Sequence, residues 1–375
     1  MKVLTVLGTR PEAIKLAPVL LALQAEPGVE SVLCVSGQHR EMLDPMLAAF
    51  GLRPDHDLQL MQPGQTLAHT TQAVLLGVSA ALHALRPDWL LVQGDTTTAM
   101  AAALAGFYER VAVAHVEAGL RTYDPQAPWP EEINRRLIAP MATLHFAPTE
   151  AAAANLRHEG LPEQDIIVTG NTVIDALHAI LARPHAAAAL DELLQRQAPS
   201  LRPSGRRLVL VTLHRRESLG EPLVGLCQAL RSLAARGDVE LVFPVHLNPE
   251  VQRVVREQLG ATAAVHLLPP LEYPLFVALL QRCYLVLTDS GGLQEEAAAL
   301  HKPVVVARDR TERPEALAAG TAILGGTEGA ALARLCAGLL DDSASHARMA
   351  AAPNPFGDGH ASGRIVRALL ARSGR

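Results

Sequence analysis

Three carboxylates stand where short apolar runs end: Asp95 in Gly94-Asp95-Thr96-Thr97-Thr98, Glu117 in Glu117-Ala118-Gly119-Leu120-Arg121, and Glu131 in Pro130-Glu131-Glu132. Carboxylates placed on both faces of a substrate are what proton abstraction and return require. Each also has an ordinary use. Asp95 can cap the helix beginning at Thr96 to Thr98, and Glu131 sits where acids favour a helix N-terminus. His214 directly follows the apolar run Leu208 to Thr212 and can donate a proton or hydrogen bond to a departing phosphate. Many of the 15 histidines, such as His158 and His185, read as surface residues. No pair has metal-ligand spacing, so no catalytic metal is expected.

A second kind of chemistry is written into Ser290-Gly291-Gly292-Leu293-Gln294-Glu295-Glu296, which follows an apolar run and opens a helix. Glycines let backbone N–H groups approach an anion, and the helix dipole favours negative charge there. Glu296, one turn in, suits ribose hydroxyls rather than phosphate. The competing reading is a tight turn with Ser290 as an ordinary helix cap, and locally the two are evenly matched. Arg10, Lys15, Arg215 and Arg313 can add charge around a diphosphate. No G-x-G-x-x-G fingerprint and no Walker loop occurs, which removes support for a nicotinamide cofactor or ATP, and no cofactor is expected.

Short Val- and Leu-rich runs alternating with alanine-rich helical segments predict a parallel sheet buried on both faces. Strands are expected at Val3 to Leu7, Val32 to Val35, Trp89 to Val92, Ala112 to Val116, Leu144 to Ala147 and Ile166 to Val168. After a break between about Arg183 and Arg207, a second set is expected at Leu208 to Thr212, Glu240 to Val245, Val265 to Leu268, Leu285 to Thr288 and Val304 to Ala307. Two similar doubly wound α/β domains result, and ligands bind such sheets beyond the carboxyl ends of the strands. One cleft between the domains would gather every polar segment named above. Ala151 to Ala154 and Ala186 to Ala189 read as helix surface. Arg10-Pro11-Glu12-Ala13 is echoed by Arg313-Pro314-Glu315-Ala316, each with Pro placed to open a helix. Ile365, Val366, Leu369 and Leu370 predict a docked amphipathic C-terminal helix.

The 375 residues carry 33 basic and 38 acidic side chains, a net charge of -5 that gives no attraction to nucleic acid. The longest apolar stretches fall well short of the roughly 20 residues a membrane span needs. The N-terminus breaks into turn and charge at Gly8-Thr9-Arg10, too early for a secretory signal, and a cytoplasmic protein is expected. Cys34, Cys227, Cys283 and Cys336 are scattered among apolar neighbours and read as reduced core residues.

The strings Gly8-Thr9-Arg10-Pro11-Glu12-Ala13-Ile14-Lys15, Gly37-Gln38-His39-Arg40-Glu41-Met42-Leu43-Asp44, Gly94-Asp95-Thr96-Thr97-Thr98, His115-Val116-Glu117-Ala118-Gly119-Leu120-Arg121-Thr122 and Pro130-Glu131-Glu132-Ile133-Asn134-Arg135 closely resemble the non-hydrolysing UDP-N-acetylglucosamine 2-epimerases. Gly170-Asn171-Thr172-Val173-Ile174-Asp175, His214-Arg215-Arg216-Glu217, Pro244 to Pro249, Thr288 to Glu296, Arg313-Pro314-Glu315 and Asn354 to Gly359 continue the match in order. The resemblance spans nearly the whole chain. It implies a glycosyltransferase-B-like fold of two Rossmann-like domains, residues 1–170 with the C-terminal helix at about 360–375 packing back on them, and residues 171–359 binding UDP. It further implies a homodimer acting on a UDP-sugar, converting UDP-N-acetylglucosamine reversibly to UDP-N-acetylmannosamine for polysaccharide biosynthesis.

Carried over by that resemblance, Asp95, Glu117 and Glu131 are the acid/base carboxylates and His214 stands at the departing UDP. Arg10, Lys15, Arg135, Arg215, Leu271, Phe276, Ser290, Gly291, Gly292, Glu296 and Arg313 form the substrate-binding set. Gln38, His39 and Glu41 lie where some members grip a second, activating UDP-N-acetylglucosamine. This chain has Glu41 where those members can carry glutamine, and Gly64 where they can carry arginine. Leu213 replaces a small residue before the His-Arg-Arg-Glu motif, and Leu271 replaces a glutamine, so a contact there would run through backbone. The chemistry agrees with the resemblance. The C2 hydrogen of an acetamido sugar is not next to a carbonyl, so direct abstraction leaves an unstabilised carbanion. Elimination of UDP across C1 and C2 avoids this and needs an anion site, a base and an acid. Which carboxylate serves which face stays open at this level. The competing readings are a hydrolysing epimerase, a transferase on the same fold, and a non-catalytic sugar-nucleotide sensor.

Overall fold

The computed structural model describes residues 1–37, 40–60, 64–183, 185–201, 205–213 and 220–373, with the backbone alone for 40–42. The chain divides into two compact units, Met1–Ala179 with Phe356–Arg375, and Ile180–Pro355. The first runs β1 (Lys2–Leu7), α1 (Arg10–Ala25), β2 (Glu30–Val35), α2 (Arg40–Phe50), β3 (His56–Asp57), α3 (Leu67–Leu85), β4 (Trp89–Gln93), α4 (Thr97–Tyr108), β5 (Ala112–Val116), α5 (Glu131–Ile138), β6 (Leu144–Ala147), α6 (Glu150–His158), β7 (Ile166–Val168) and α7 (Thr172–Leu181). Its seven strands pair in the order β3-β2-β1-β4-β5-β6-β7, all parallel. The strand order reverses between β1 and β4. Helices leave those two strands toward opposite faces, which opens a crevice beyond their carboxyl ends.

The second unit repeats the plan: α8 (His185–Gln197), β8 (Arg207–Thr212), α9 (Glu221–Ala234), β9 (Val239–Pro244), α10 (Pro249–Leu259), β10 (Val265–Leu268), α11 (Tyr273–Arg282), β11 (Leu285–Thr288), α12 (Gly291–Ala299), β12 (Val304–Val306), α13 (Pro314–Ala319), β13 (Ala322–Leu324), α14 (Gly329–Asp341) and α15 (Ser343–Ala350). Its parallel sheet has the order β10-β9-β8-β11-β12-β13, reversing between β8 and β11. Both units are therefore doubly wound α/β sheets. Every apolar run expected as a strand forms one. Two further strands, β3 and β13, were not expected: β3 is two polar residues pairing with Cys34 and Val35, and β13 is a three-residue edge, so neither has a run long enough to read.

Burial on both sheet faces explains the unbroken apolar runs. Leu4, Val6, Leu90, Val92 and Val113 pack with Ala99, Ala101, Ala102, Ala103 and Ala105 of α4, whose small side chains bring that helix close to the sheet. Ala152 and Ala153 correct the surface reading of the first alanine patch, because both are buried. The cause is Gly119, at φ +89°, where an added Cβ would lie 2.2 Å from the Ala152 carbonyl oxygen. The backbone of α6 passes too close for any side chain on either partner to be large. In the second unit Gly329 serves the same end, since its Cβ would lie 2.0 Å from the Gly225 oxygen where α14 meets α9. The four cysteines are buried and desolvated, which pushes Cys34, Cys283 and Cys336 up to about 12 and Cys227 to about 11, so they remain unreactive thiols.

The final helix, α16 (Ala361–Ser373), packs on α1 of the first unit. Asp175 of α7 accepts from the Ala361 and Ser362 N–H groups at 3.2 and 2.8 Å, satisfying donors that a helix start leaves open. At its other end Trp89 Nε1 donates to Ser373 Oγ at 2.8 Å. Among the described residues no helix is long and apolar enough to cross a membrane.

Candidate functional site

The first unit gathers its carboxylates at the carboxyl ends of β1, β4 and β5. Glu117 follows β5 directly and adopts φ +63°, a left-handed conformation that costs a non-glycine residue about 1 kcal/mol or more. The strain is held in place by neighbours. Ala118 N–H donates to Phe146 O at 3.0 Å and Gly94 N–H to Val116 O at 2.9 Å. The Glu117 carboxylate, 4% exposed, receives Lys15 Nζ at 2.6 Å on both oxygens, the Gln93 amide on Oε2, and Asn171 Nδ2 at 3.3 Å on Oε1. Lys15, grouped from sequence with the phosphate cations, thus reaches a carboxylate from α1.

Asp95 begins the turn after β4. Its carboxyl is pushed up to about 6, chiefly by burial, against the lowering effect of Arg135, with the Glu117 charge raising it further. Arg135 Nε lies 3.7 Å from Asp95 Oδ2 and 3.2 Å from Glu132 Oε2. Asn134, also on α5, donates to the Asp95 carbonyl at 2.9 Å. Thr96, not Asp95, caps α4, accepting from Ala99 N–H at 3.0 Å, so the Asp95 carboxyl is released from that duty. Glu131 opens α5, half-buried and close enough for its charge to raise Asp95. Beneath the turn, His115 Nε2–H donates to Gly94 O at 2.7 Å, and burial pushes the ring down to about 3, keeping it neutral.

The turn after β1 is tied to the turn after β4 by one buried side chain. Glu12 accepts from Gly8 N–H at 2.9 Å, Thr9 N–H at 2.7 Å and Thr9 Oγ1 at 2.8 Å, while Thr96 Oγ1 donates to its other oxygen at 2.6 Å. Burial nonetheless raises the Glu12 pKa. Arg10, the first residue of α1, is exposed.

In the second unit Ser290 caps α12, accepting from Leu293 N–H at 3.4 Å, and its own N–H donates to Thr288 Oγ1 at 2.9 Å. An added Cβ on Gly292 would meet nothing within 4 Å, so the helix start faces open space. Tyr273 Oη donates to Glu296 Oε1 at 2.7 Å, and burial with the Glu296 charge pushes that phenol well above its ordinary range. Phe276, on the first turn of α11, and Leu271 before it are half-buried. Arg313 is buried and ion-paired with Glu295, and Thr311 donates to Gln294 Oε1 at 2.8 Å, fastening the loop before α13 to α12. A cavity of about 700 Å³ in this unit lies elsewhere, beside Leu194, Arg207, Tyr284 and Lys302 at the amino-terminal side of the strands, and holds none of the expected site residues. His214, Arg215, Gln38, His39 and the Glu41 side chain lie outside the described residues.

A family model for UDP-N-acetylglucosamine 2-epimerase matches residues 21–370. The chain belongs to the UDP-N-acetylglucosamine 2-epimerase family. The epimerase of that name from Salmonella typhimurium is 50% identical over 370 residues, 98% of each chain, and that from Escherichia coli K12 is 48% identical over the same span and coverage. The UDP-GlcNAc 2-epimerase from Neisseria meningitidis, solved bound to UDP-GlcNAc, is 44% identical with a TM-score of 0.92, covering 99% of this chain and 100% of its own. The Methanocaldococcus jannaschii enzyme in complex with UDP-GlcNAc and UDP is 32% identical with a TM-score of 0.82, at the same coverage. The two sheets of seven and six parallel strands are thus the glycosyltransferase-B-like α/β fold of the 2-epimerases.

Several residues that shape this candidate site drew no role from sequence. Glu12 carried a readable signal, the Thr-x-x-Glu spacing of a capping box in Thr9-Arg10-Pro11-Glu12. Glu132 carried none, because nothing local separates it from Glu131, yet it is fully buried and accepts from Thr122 and Tyr123 N–H groups at 3.0 Å. Gln93, Asn171 and Tyr273 act through partners far along the chain.

Proposed function

We propose that this protein is a non-hydrolysing epimerase that interconverts UDP-N-acetylglucosamine and UDP-N-acetylmannosamine by eliminating UDP and adding it back. A carboxylate takes the C2 proton, the C–H electrons form the C1=C2 bond, and the C1–O bond breaks to release UDP and a 2-acetamidoglucal. Return adds the UDP oxygen to C1 while a carboxyl delivers a proton to the other face of C2. Asp95, Glu117 and Glu131 are assigned the proton transfers, and His214 the departing diphosphate. The second unit supplies the nucleotide contacts: Ser290, Gly291 and Gly292 with Arg313 and Arg215 for the diphosphate, Glu296 for the ribose, and Phe276 and the Leu271 backbone for the base. Arg10, Lys15 and Arg135 line the sugar and phosphate side. The reaction needs no redox cofactor, because the C2–H electrons stay in the sugar as the C1=C2 bond while UDP leaves with the C1–O pair.

The observation that carries this reading is the pairing of unlike carboxyls. Glu117 is clasped by an ammonium and two amides, while the Asp95 carboxyl is shifted to about 6 and exchanges a proton near neutrality. Full-length likeness to 2-epimerases, two of them solved with UDP-GlcNAc, supports the substrate. The homodimer and the cytoplasmic location are part of the proposal. α3 contains no Asp, Glu, Lys or Arg, and Leu76, Phe107 and Tyr108 on α3 and α4 are exposed, a face that a second copy would cover. Incubation with UDP-N-acetylglucosamine in deuterated buffer, followed by proton and phosphorus NMR, tests the reaction. UDP-N-acetylmannosamine deuterated at C2 with little net UDP is expected. Stoichiometric UDP with free N-acetylmannosamine would mean hydrolysis, and bound UDP without exchange would favour a transferase or sensor.

A further inference from the structure

The carboxylate of Glu117 is aimed in part by two amides that the reaction as proposed does not use. Gln93 is the last residue of β4, lies alongside Val116 in the sheet register, and is 2% exposed. Its side-chain amide reaches over the end of β5 to donate to Glu117 Oε2. Asn171, entering from the turn after β7, donates to the other oxygen at 3.3 Å, while Lys15 bridges both oxygens from α1. The carboxylate is thus approached from three separate elements. Lys15 brings a positive charge, and the two amides add direction without adding charge.

That distinction matters for a base. A carboxylate that must abstract a proton from carbon needs its carboxyl plane fixed toward that carbon, since geometry errors of about 1 Å can cost a hundredfold in rate. The φ of +63° at Glu117 means its backbone alone does not hold the side chain in a relaxed, common conformation. An amide on the neighbouring strand, buried and locked by the sheet, supplies the missing constraint.

We propose that Gln93 is a positioning residue for Glu117, fixing the orientation of that carboxylate and favouring its ionised form before it takes the C2 proton. The proposal rests on the assignment of Glu117 to the reaction. Asn171 acts in the same way from the opposite side, more weakly at its longer distance. Gln93 touches no reacting atom.

The test compares Gln93→Met, Gln93→Glu and Glu117→Gln, each alone, and Gln93→Met combined with Glu117→Gln. Turnover and C2 deuterium exchange are followed across pH, with thermal melting and UDP binding as folding controls. Gln93→Met keeps the side chain's length and removes the donor. It is expected to lower kcat by about ten- to a hundredfold with KM changed less than about twofold, and to move the acid limb of the kcat profile to higher pH, because a donor to the charged form is gone. Gln93→Glu keeps size and polarity, places a second carboxyl against the first, and is expected to move that limb further in the same direction. In the Glu117→Gln background, Gln93→Met is expected to add less than about twofold. Should Gln93→Met not fold, the Gln93→Glu profile decides alone. Unchanged kcat and an unmoved limb in both Gln93 variants, with Glu117→Gln inactive, would overturn the positioning role and leave the functional assignment standing. Exchange that survives in Glu117→Gln would instead overturn the assignment itself.

Discussion

The two units carry the same sheet plan and end their strands in opposite styles. Beyond β4 and β5 of the first unit, carboxylates are packed beside one another in unequal surroundings: amides and Lys15 around Glu117, and burial that raises the Asp95 pKa. Beyond β11 of the second unit, the charged side chains are already matched, Arg313 with Glu295 and Glu296 with Tyr273, and what is left facing open space is a helix start built on glycine. Proton transfer at carbon needs groups that change charge, and groups that change charge are kept in tension. Binding a nucleotide diphosphate needs donors that do not move, and those are kept satisfied until the ligand arrives. On the assignment proposed above, one fold serves two tasks through the turns that leave its strand ends.

The comparison can be broken most directly at Glu117. Glu117→Gln preserves size but removes the charge and one acceptor oxygen, and turnover is expected to fall by about a thousandfold or more, with UDP affinity unchanged. Equal losses in turnover and UDP affinity would mean the division of labour is wrong. Asp95→Asn comes next, with a loss of about a hundredfold. Asp95 is protonated below about pH 6 and ionised above it, so the wild-type kcat profile should carry a limb near pH 6 that this variant lacks. A limb rising through 6 marks Asp95 as the base and one falling through 6 marks it as the acid, which settles the order of roles.

Smaller effects sharpen the other side. Glu296→Gln weakens the acceptor proposed for the ribose diol, and UDP affinity is expected to fall about tenfold by calorimetry while a 2′-deoxy analogue loses less; equal losses for both would remove Glu296 from the ribose. The smallest effect concerns stability. His115 sits at about 3 in the fold against 6.5 when exposed, so the fold excludes a proton that the unfolded chain takes up. Its contribution is whole above pH 6.5 and is lost as pH falls toward 3, by about 1.4 kcal/mol per pH unit. Chemical denaturation from pH 7 to 5 should therefore show a shallower loss of stability in His115→Gln than in the wild type, whatever the two differ by at pH 7. Parallel slopes would mean that His115 is not held neutral by burial.

Much of this was legible in the residues themselves. Strands with both faces buried declare themselves as unbroken Val and Leu runs, and Ser-Gly-Gly after such a run marks the start of a helix, so β1, β4, β5, β8, β11 and the start of α12 could be placed from sequence alone. Edge strands could not, because β3 needs only His56 and Asp57 to pair and carries no apolar signal. Within the site, Asp95 and Glu117 stood out by type and position. Their unequal surroundings did not, since these depend on Gln93, Asn171 and Arg135 arriving from other elements. The burial of Ala152 and Ala153 was hidden for a similar reason: the close approach that demands it is set by Gly119, thirty-odd positions away in the chain.

The measurement closest to the central claim pairs two readouts on one variant. Glu117→Gln is titrated with UDP by calorimetry, and the same sample is incubated with UDP-N-acetylglucosamine in deuterated buffer while C2 is followed by proton NMR. UDP binding at wild-type affinity with deuterium incorporation abolished is the predicted result. Deuterium entering C2 at close to the wild-type rate would contradict the account, because proton transfer would then belong to groups other than the clasped carboxylate at the end of β5.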